Sequence, residues 1–207
     1  MSWLREQAAL LGKFLRGDFR RTLGWCALGM ALGVLLGVVL GLSFPERAYQ
    51  VLNAFMEQAE ESGVVDTEGE LSVFALLMNN WRAMLTSIAY GVVPFLFLPV
   101  LSLMMNGMLL GLLAAIFVGG GASFAVYLAG ILPHGAFELP ALLFAIACGV
   151  RLCRNMCRLV VSSPDRIPML ELLEDLLRVV VLVIAPLTAA AAFVECYVTP
   201  VVMGWFL

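Results

Sequence analysis

From Thr22 to Phe44 the chain runs for 23 residues without a single charged side chain. As one α-helix this run is about 34 Å long, enough to cross the ~30 Å of hydrocarbon in a bilayer. Lipid offers no hydrogen-bonding partners, so a segment buried there must satisfy its backbone within a helix or a closed barrel. The alternating ~10-residue strands of a barrel do not occur in this sequence. The fold predicted is therefore all-α: a polytopic membrane bundle of about five transmembrane helices with interfacial amphipathic helices. The composition agrees, with 62% hydrophobic and 13% charged residues against about 25% charged in a soluble domain. The net charge of −3 carries no basic surface for nucleic acid, and the partner implied is the lipid bilayer. The first run is too long for a signal peptide and lacks a small-residue cleavage site, so it reads as an uncleaved anchor.

Charge sets the expected topology. Arg5, Lys13, Arg16, Arg20 and Arg21 precede the first run. After it come Glu46, Glu57, Glu60, Glu61, Asp66, Glu68 and Glu70, with Arg47 the one base among them. Basic flanks stay cytoplasmic, which puts the N-terminus inside and the acidic stretch outside. A second basic cluster, Arg151, Arg154, Arg158, Arg166 and Arg178, belongs on the inside too. The apolar stretch 81–118, which holds Pro94 and Pro99, would be about 57 Å as one helix, so it is expected to split near Pro99 into two spans. The alternative keeps it as one kinked helix and lets 122–133 cross or re-enter. A single membrane domain, 1–207, follows: 1–21 cytoplasmic and interfacial, 22–44 the first span, 45–80 an acidic extracytoplasmic segment, 81–158 a helix pair, a turn and a further span, 159–175 interfacial, and 176–207 the last span, ending outside.

Residues 2–19 interleave Trp3, Leu4, Leu10, Leu11, Phe14 and Leu15 with bases, the pattern of a helix lying in the interface. Residues 165–177, DRIPMLELLEDLL, read likewise, and Glu174 and Arg178 stand one turn apart and able to pair. Within the first run Gly29, Gly33, Gly37 and Gly41 recur every four residues on nearly one face. Small residues so placed let two backbones approach closely, which substitutes for the hydrophobic force that lipid does not supply. The partner is either another helix of the chain or a second copy. Gly119, Gly120 and Gly121 lack the context of a phosphate-binding loop and read as a turn. The five cysteines show no metal-site spacing and read as small apolar residues.

GILPHGAFELP, residues 130–140, carries the one histidine, His134, with Glu138 four residues on. Counted back from Arg151, His134 is about 26 Å up a helix, near the outer interface. Pro140 is expected to start the regular helix, so that the pair sits at a broken helix start. Four readings stand: satisfaction of backbone groups, a metal site, a proton or ion relay, and acid–base catalysis. A metal needs three or four ligands and two are visible, so no metal and no cofactor are expected. HGAFE is not the HExxH of zinc proteases.

ILPHGAFELPALLFA, with Pro-His-Gly-x-x-Glu at the start of a late membrane helix, resembles the stage II sporulation protein M family of integral membrane proteins, formerly a domain of unknown function. NNWRAMLTSIAYGVVPFLFLPVLSLMMNG is similar to the same family, and the likeness covers about 79–158. Asn80, Asn106, His134, Gly135 and Glu138 match its pattern. The resemblance implies a bacterial inner-membrane protein that works with envelope or cell-wall remodelling partners. The function expected is a non-enzymatic scaffold for such partners. The alternatives are a homo-oligomeric channel or transporter subunit with a polar path at His134, Glu138 and Asn106, and an intramembrane enzyme.

Overall fold

The computed structural model of the chain describes residues 2–61, 72–121 and 123–206; Asp66, Glu68 and Glu70 of the acidic segment lie outside them. Among the described residues the secondary structure is helical: α1 (Ser2–Phe14), α2 (Arg20–Ser43), α3 (Pro45–Glu61), α4 (Val73–Ala89), α5 (Leu98–Gly119), α6 (Phe124–Val160), α7 (Met169–Val179), α8 (Ala185–Tyr197) and α9 (Thr199–Gly204). Non-helical torsions at Gly17 kink the chain between α1 and α2, and a π-turn joins α7 to α8 without a break.

Four helical stretches are long and apolar enough to cross a membrane: Trp3–Ser43, Leu98–Gly119, Phe124–Val160 and Met169–Tyr197. The 17-residue α4, about 26 Å long, runs a fifth leg between them. Ser87, near the end of α4, meets Ser102, near the start of α5, at 3.4 Å, and Leu76, near the start of α4, packs with Ala192, late in α8. The legs thus alternate in direction through α2, α4, α5, α6 and α7–α8. Both basic clusters come to one end of this bundle. Arg151 approaches Asp18 at 3.5 Å, and Arg178 donates to Gln7 at 2.8 Å while pairing with Glu174 and Asp175 at 3.1 and 2.7 Å. The amphipathic α1 and α7 are thereby tied together at that end. At the other end lie α3 and the glycine turn: a side chain at Gly120 would touch the Tyr49 hydroxyl.

The break expected near Pro99 falls earlier, at 90–97. Pro94 pushes Val93 to extended torsions (ψ 108), and Phe95 and Phe97 take positive φ of 66 and 46. Cys153 donates to Val93 O at 3.3 Å and Cys157 accepts from the Phe95 amide at 3.1 Å. These two cysteines hold a strained turn, a role their reading as apolar fillers did not include. Pro99 sits in the first turn of α5, where an absent N–H costs nothing. The helix before the break begins at Val73 rather than 81, capped by Ser72, whose hydroxyl accepts from the Ala75 amide at 3.3 Å.

The glycine face of α2 packs along α5. Its buried stripe is Thr22, Cys26, Met30, Gly33, Gly37 and Gly41, while Leu28, Leu32, Leu35 and Val39 face outward, as a lipid-facing surface should. On α5 a matching row, Leu103, Gly107, Gly111 and Ala115, stands opposite Gly29, Gly33, Gly37 and Gly41 in that order, so the two helices run parallel. A methyl at Gly107 would lie 2.7 Å from Met30 O, and one at Gly37 or Gly111 would run into Met108 O or Val34 O. Backbone meets backbone, with Cα–H···O contacts in place of interlocking side chains. The sequence showed the α2 row; its partner was equally present in Gly107 and Gly111 but went unread.

Candidate functional site

The α6 helix passes through both Pro133 and Pro140 without interruption. The expected break at Pro140 does not occur, and His134 and Glu138 sit inside a 37-residue helix instead of at its start. Neighbouring helices and local adjustment absorb the lost amide bonds, as membrane helices commonly allow. The two side chains project from one face, with His134 Nε2 and Glu138 Oε2 4.0 Å apart. At that distance they do not hydrogen-bond.

A third ionisable residue joins them. Glu195, near the end of α8, brings a carboxylate oxygen to within 4.8 Å of the ligand atoms of both His134 and Glu138. Its signal was present in the sequence as the one acid in the last apolar run, and an acid inside a span is itself a functional cue. It was overlooked because the glutamate stands 57 residues from Glu138 and nothing local links them. Thr199, just beyond on α9, completes the surroundings: its hydroxyl donates to Val194 O at 3.2 Å and stands 3.3 Å from His134 Nδ1.

These groups face a cavity of about 390 Å³ whose wall includes Asn106, Tyr127, His134, Gly135, Glu138 and Glu195. The rest of the wall is mostly apolar, including Leu52 from α3 and Met203 from α9, which places the cavity in the half of the bundle away from the basic end. Asn106 donates to Ser102 O at 2.8 Å, one turn back, and the Tyr127 hydroxyl crosses from α6 to donate to Leu110 O at 3.0 Å. Gly135 is buried on α6, between the two ionisable residues. Asn80 is not brought to this cavity. It is buried on α4, and its side-chain N–H group finds no partner among the described residues. Gly29, Gly33, Gly37 and Gly41 lie along the α2–α5 seam and not at the cavity.

Among the described residues no arginine or lysine pairs with Glu138 or Glu195. Two carboxylates close together in an apolar wall repel each other and lack the solvation of water. One imidazole and two carboxylates are also oxygen and nitrogen donors of the kind that hold a divalent cation or relay protons.

Fold and site together define a multi-pass helical membrane protein with a half-buried ionisable cluster in one half of its bundle. The chain matches the Stage II sporulation protein M family over residues 23–200, and it belongs to that family. It is 26% identical over 133 residues to an uncharacterised protein of Methanocaldococcus jannaschii, an alignment covering 64% of this chain and 74% of that one. No solved structure matches it.

Proposed function

We propose that this chain is a non-enzymatic membrane protein of the channel or transporter type, which takes a small cation into the cavity at His134, Glu138 and Glu195. The observation that carries this reading is convergence. Asn106 from α5, His134 and Glu138 from α6 and Glu195 from α8 line one cavity, though the three helices are far apart in sequence. Ionisable groups at membrane depth are costly, so a set of them around one space favours a ligand over backbone repair. Among the described residues no serine, threonine, cysteine or lysine lines that cavity, which weighs against covalent catalysis by such a nucleophile there. The test is cation flux into liposomes carrying the purified chain. Uptake through the wild type, cut at least tenfold by the near-isosteric Glu138→Gln, is expected; equal flux through both, or none through either, would dismiss the reading.

A second reading, a homo-oligomeric scaffold for envelope partners, is favoured by the family's sporulation name and by α3. That helix displays Glu46, Arg47 and Glu57 at the end opposite the basic clusters, where a partner outside the membrane would meet them.

We infer further that the chain sits in a bacterial inner membrane with its N-terminus inside and its C-terminus outside. The support is the meeting of both basic clusters at one end, as a single cytoplasmic face would require. Membrane-impermeant maleimide on intact spheroplasts is expected to label Asn53→Cys, and to reach Ser163→Cys only after lysis. Labelling of both from the same side would rule the orientation out.

A further inference from the structure

We propose that His134, Glu138 and Glu195 bind one divalent first-row transition cation of the zinc, cobalt or manganese class. The proposal rests on the cation-binding reading above and names the cation's chemical class. Thr199 bears on the histidine's tautomer. Its hydroxyl lies 3.2 Å from Val194 O and 3.3 Å from His134 Nδ1, and with its one hydrogen on Val194 O it accepts from Nδ1. In that arrangement Nδ1 carries the proton and Nε2 presents a bare lone pair. That lone pair faces Glu138 Oε2 across 4.0 Å, and a Glu195 oxygen closes the group within 4.8 Å. Three acceptors then converge, and among the described residues no hydrogen bond reaches either carboxylate.

A cation resolves this arrangement. Two carboxylates and a neutral imidazole sum to −2, which a divalent ion cancels, leaving an uncharged site in a low-dielectric wall. The imidazole argues against magnesium and calcium, which take all-oxygen shells, and for a borderline transition metal. Tetrahedral ligands about such an ion lie roughly 3.4 Å apart, so the group must draw in by a few tenths of an ångström to about 1.4 Å. Rotation of the two flexible glutamates supplies that movement. Three protein ligands leave one position for water or an incoming ligand, and the 390 Å³ cavity has room for it. The Thr199 contact is the outer-shell bond that metal-binding histidines normally make through their second nitrogen.

The full chain, purified in detergent with any affinity tag removed, would be titrated with cobalt(II) chloride. Equilibrium dialysis would give the stoichiometry and visible spectroscopy the ligand type. One ion per chain is expected, with the weak d–d bands of nitrogen and oxygen ligation, displaced by zinc but not by a large excess of magnesium or calcium. Glu138→Gln, Glu195→Gln and His134→Ala are each expected to weaken binding by at least about tenfold, in preparations that stay monodisperse on size exclusion. Should a variant aggregate, X-ray absorption on the zinc-loaded wild type decides instead, with an imidazole and oxygen shell expected. Absence of saturable uptake at millimolar cobalt, an intense thiolate charge-transfer band, a sulfur shell, or unchanged affinity in folded variants would overturn the site. Metal binding without flux would remove the transport reading and leave the metal site standing. Flux without cobalt binding would do the reverse.

Discussion

Gly37→Ala and Gly111→Ala are each expected to lower stability in detergent by about 1–3 kcal/mol, and by more when combined. The reason is what the added methyl meets. At Gly37 it enters the space of Met108 O, and at Gly111 that of Val34 O. Both obstacles are backbone carbonyls inside helices, which cannot rotate aside as a side-chain tip would, so the helices must separate along their length. Gly24 provides the control. It lies on the same helix, with nothing within 4 Å of an added methyl. Gly24→Ala should be neutral or stabilising by up to about 1 kcal/mol, because alanine favours helix over glycine. Thermal or denaturant unfolding of the three variants measures the contrast. A loss at Gly24 equal to that at Gly37 would show that the effect comes from helix α2 itself and not from the seam.

Asn155→Ala is expected to cost about 2–4 kcal/mol, although the residue touches neither the cavity nor the seam. Asn155 is buried near the end of α6 at 3% exposure. Its amide N–H donates to Ile167 O at 3.0 Å and its carbonyl oxygen accepts from the Ile167 amide at 2.9 Å. One side chain therefore satisfies both backbone groups of a residue in the link between α6 and α7. Alanine leaves both backbone groups of the half-buried Ile167 without this partner, and each such group costs about 1–3 kcal/mol where water does not reach it. Asn155→Asp should fare no better, since it sets an oxygen against Ile167 O. A measured change under about 0.5 kcal/mol for alanine would mean that water replaces both bonds.

The helical bundle was legible because its evidence is local. Uncharged runs of spanning length, the clustering of bases and the prolines at 94 and 99 each announce themselves within a few tens of residues. The seam was half legible: a four-residue repeat shows that a face is built for close approach, but not what approaches it. The candidate site was the least readable part. Glu138 and His134 stand out together, one turn apart, whereas Glu195 and Thr199 come from the last helices and reach the cavity only through tertiary packing. The prolines misled in a specific way. Pro140 looked like a helix start because proline lacks an amide, yet a helix enclosed by others tolerates that loss. Asn80, expected alongside His134 from the resemblance, is not brought to the cavity.

The parallel pairing of α2 with α5 has a consequence for how the chain is made. Gly29 and Leu103 meet although they stand 74 positions apart in sequence. At 5–20 residues per second the ribosome needs roughly 4–15 s to deliver the second helix after the first. Throughout that interval α2 stands in the bilayer with its glycine row against lipid tails and no helix to receive it. Its other faces, rich in leucine and valine, keep it inserted while it waits. Newly made copies held close together during those seconds would offer one another the same bare row, so biogenesis favours chains whose first helix is released at low density.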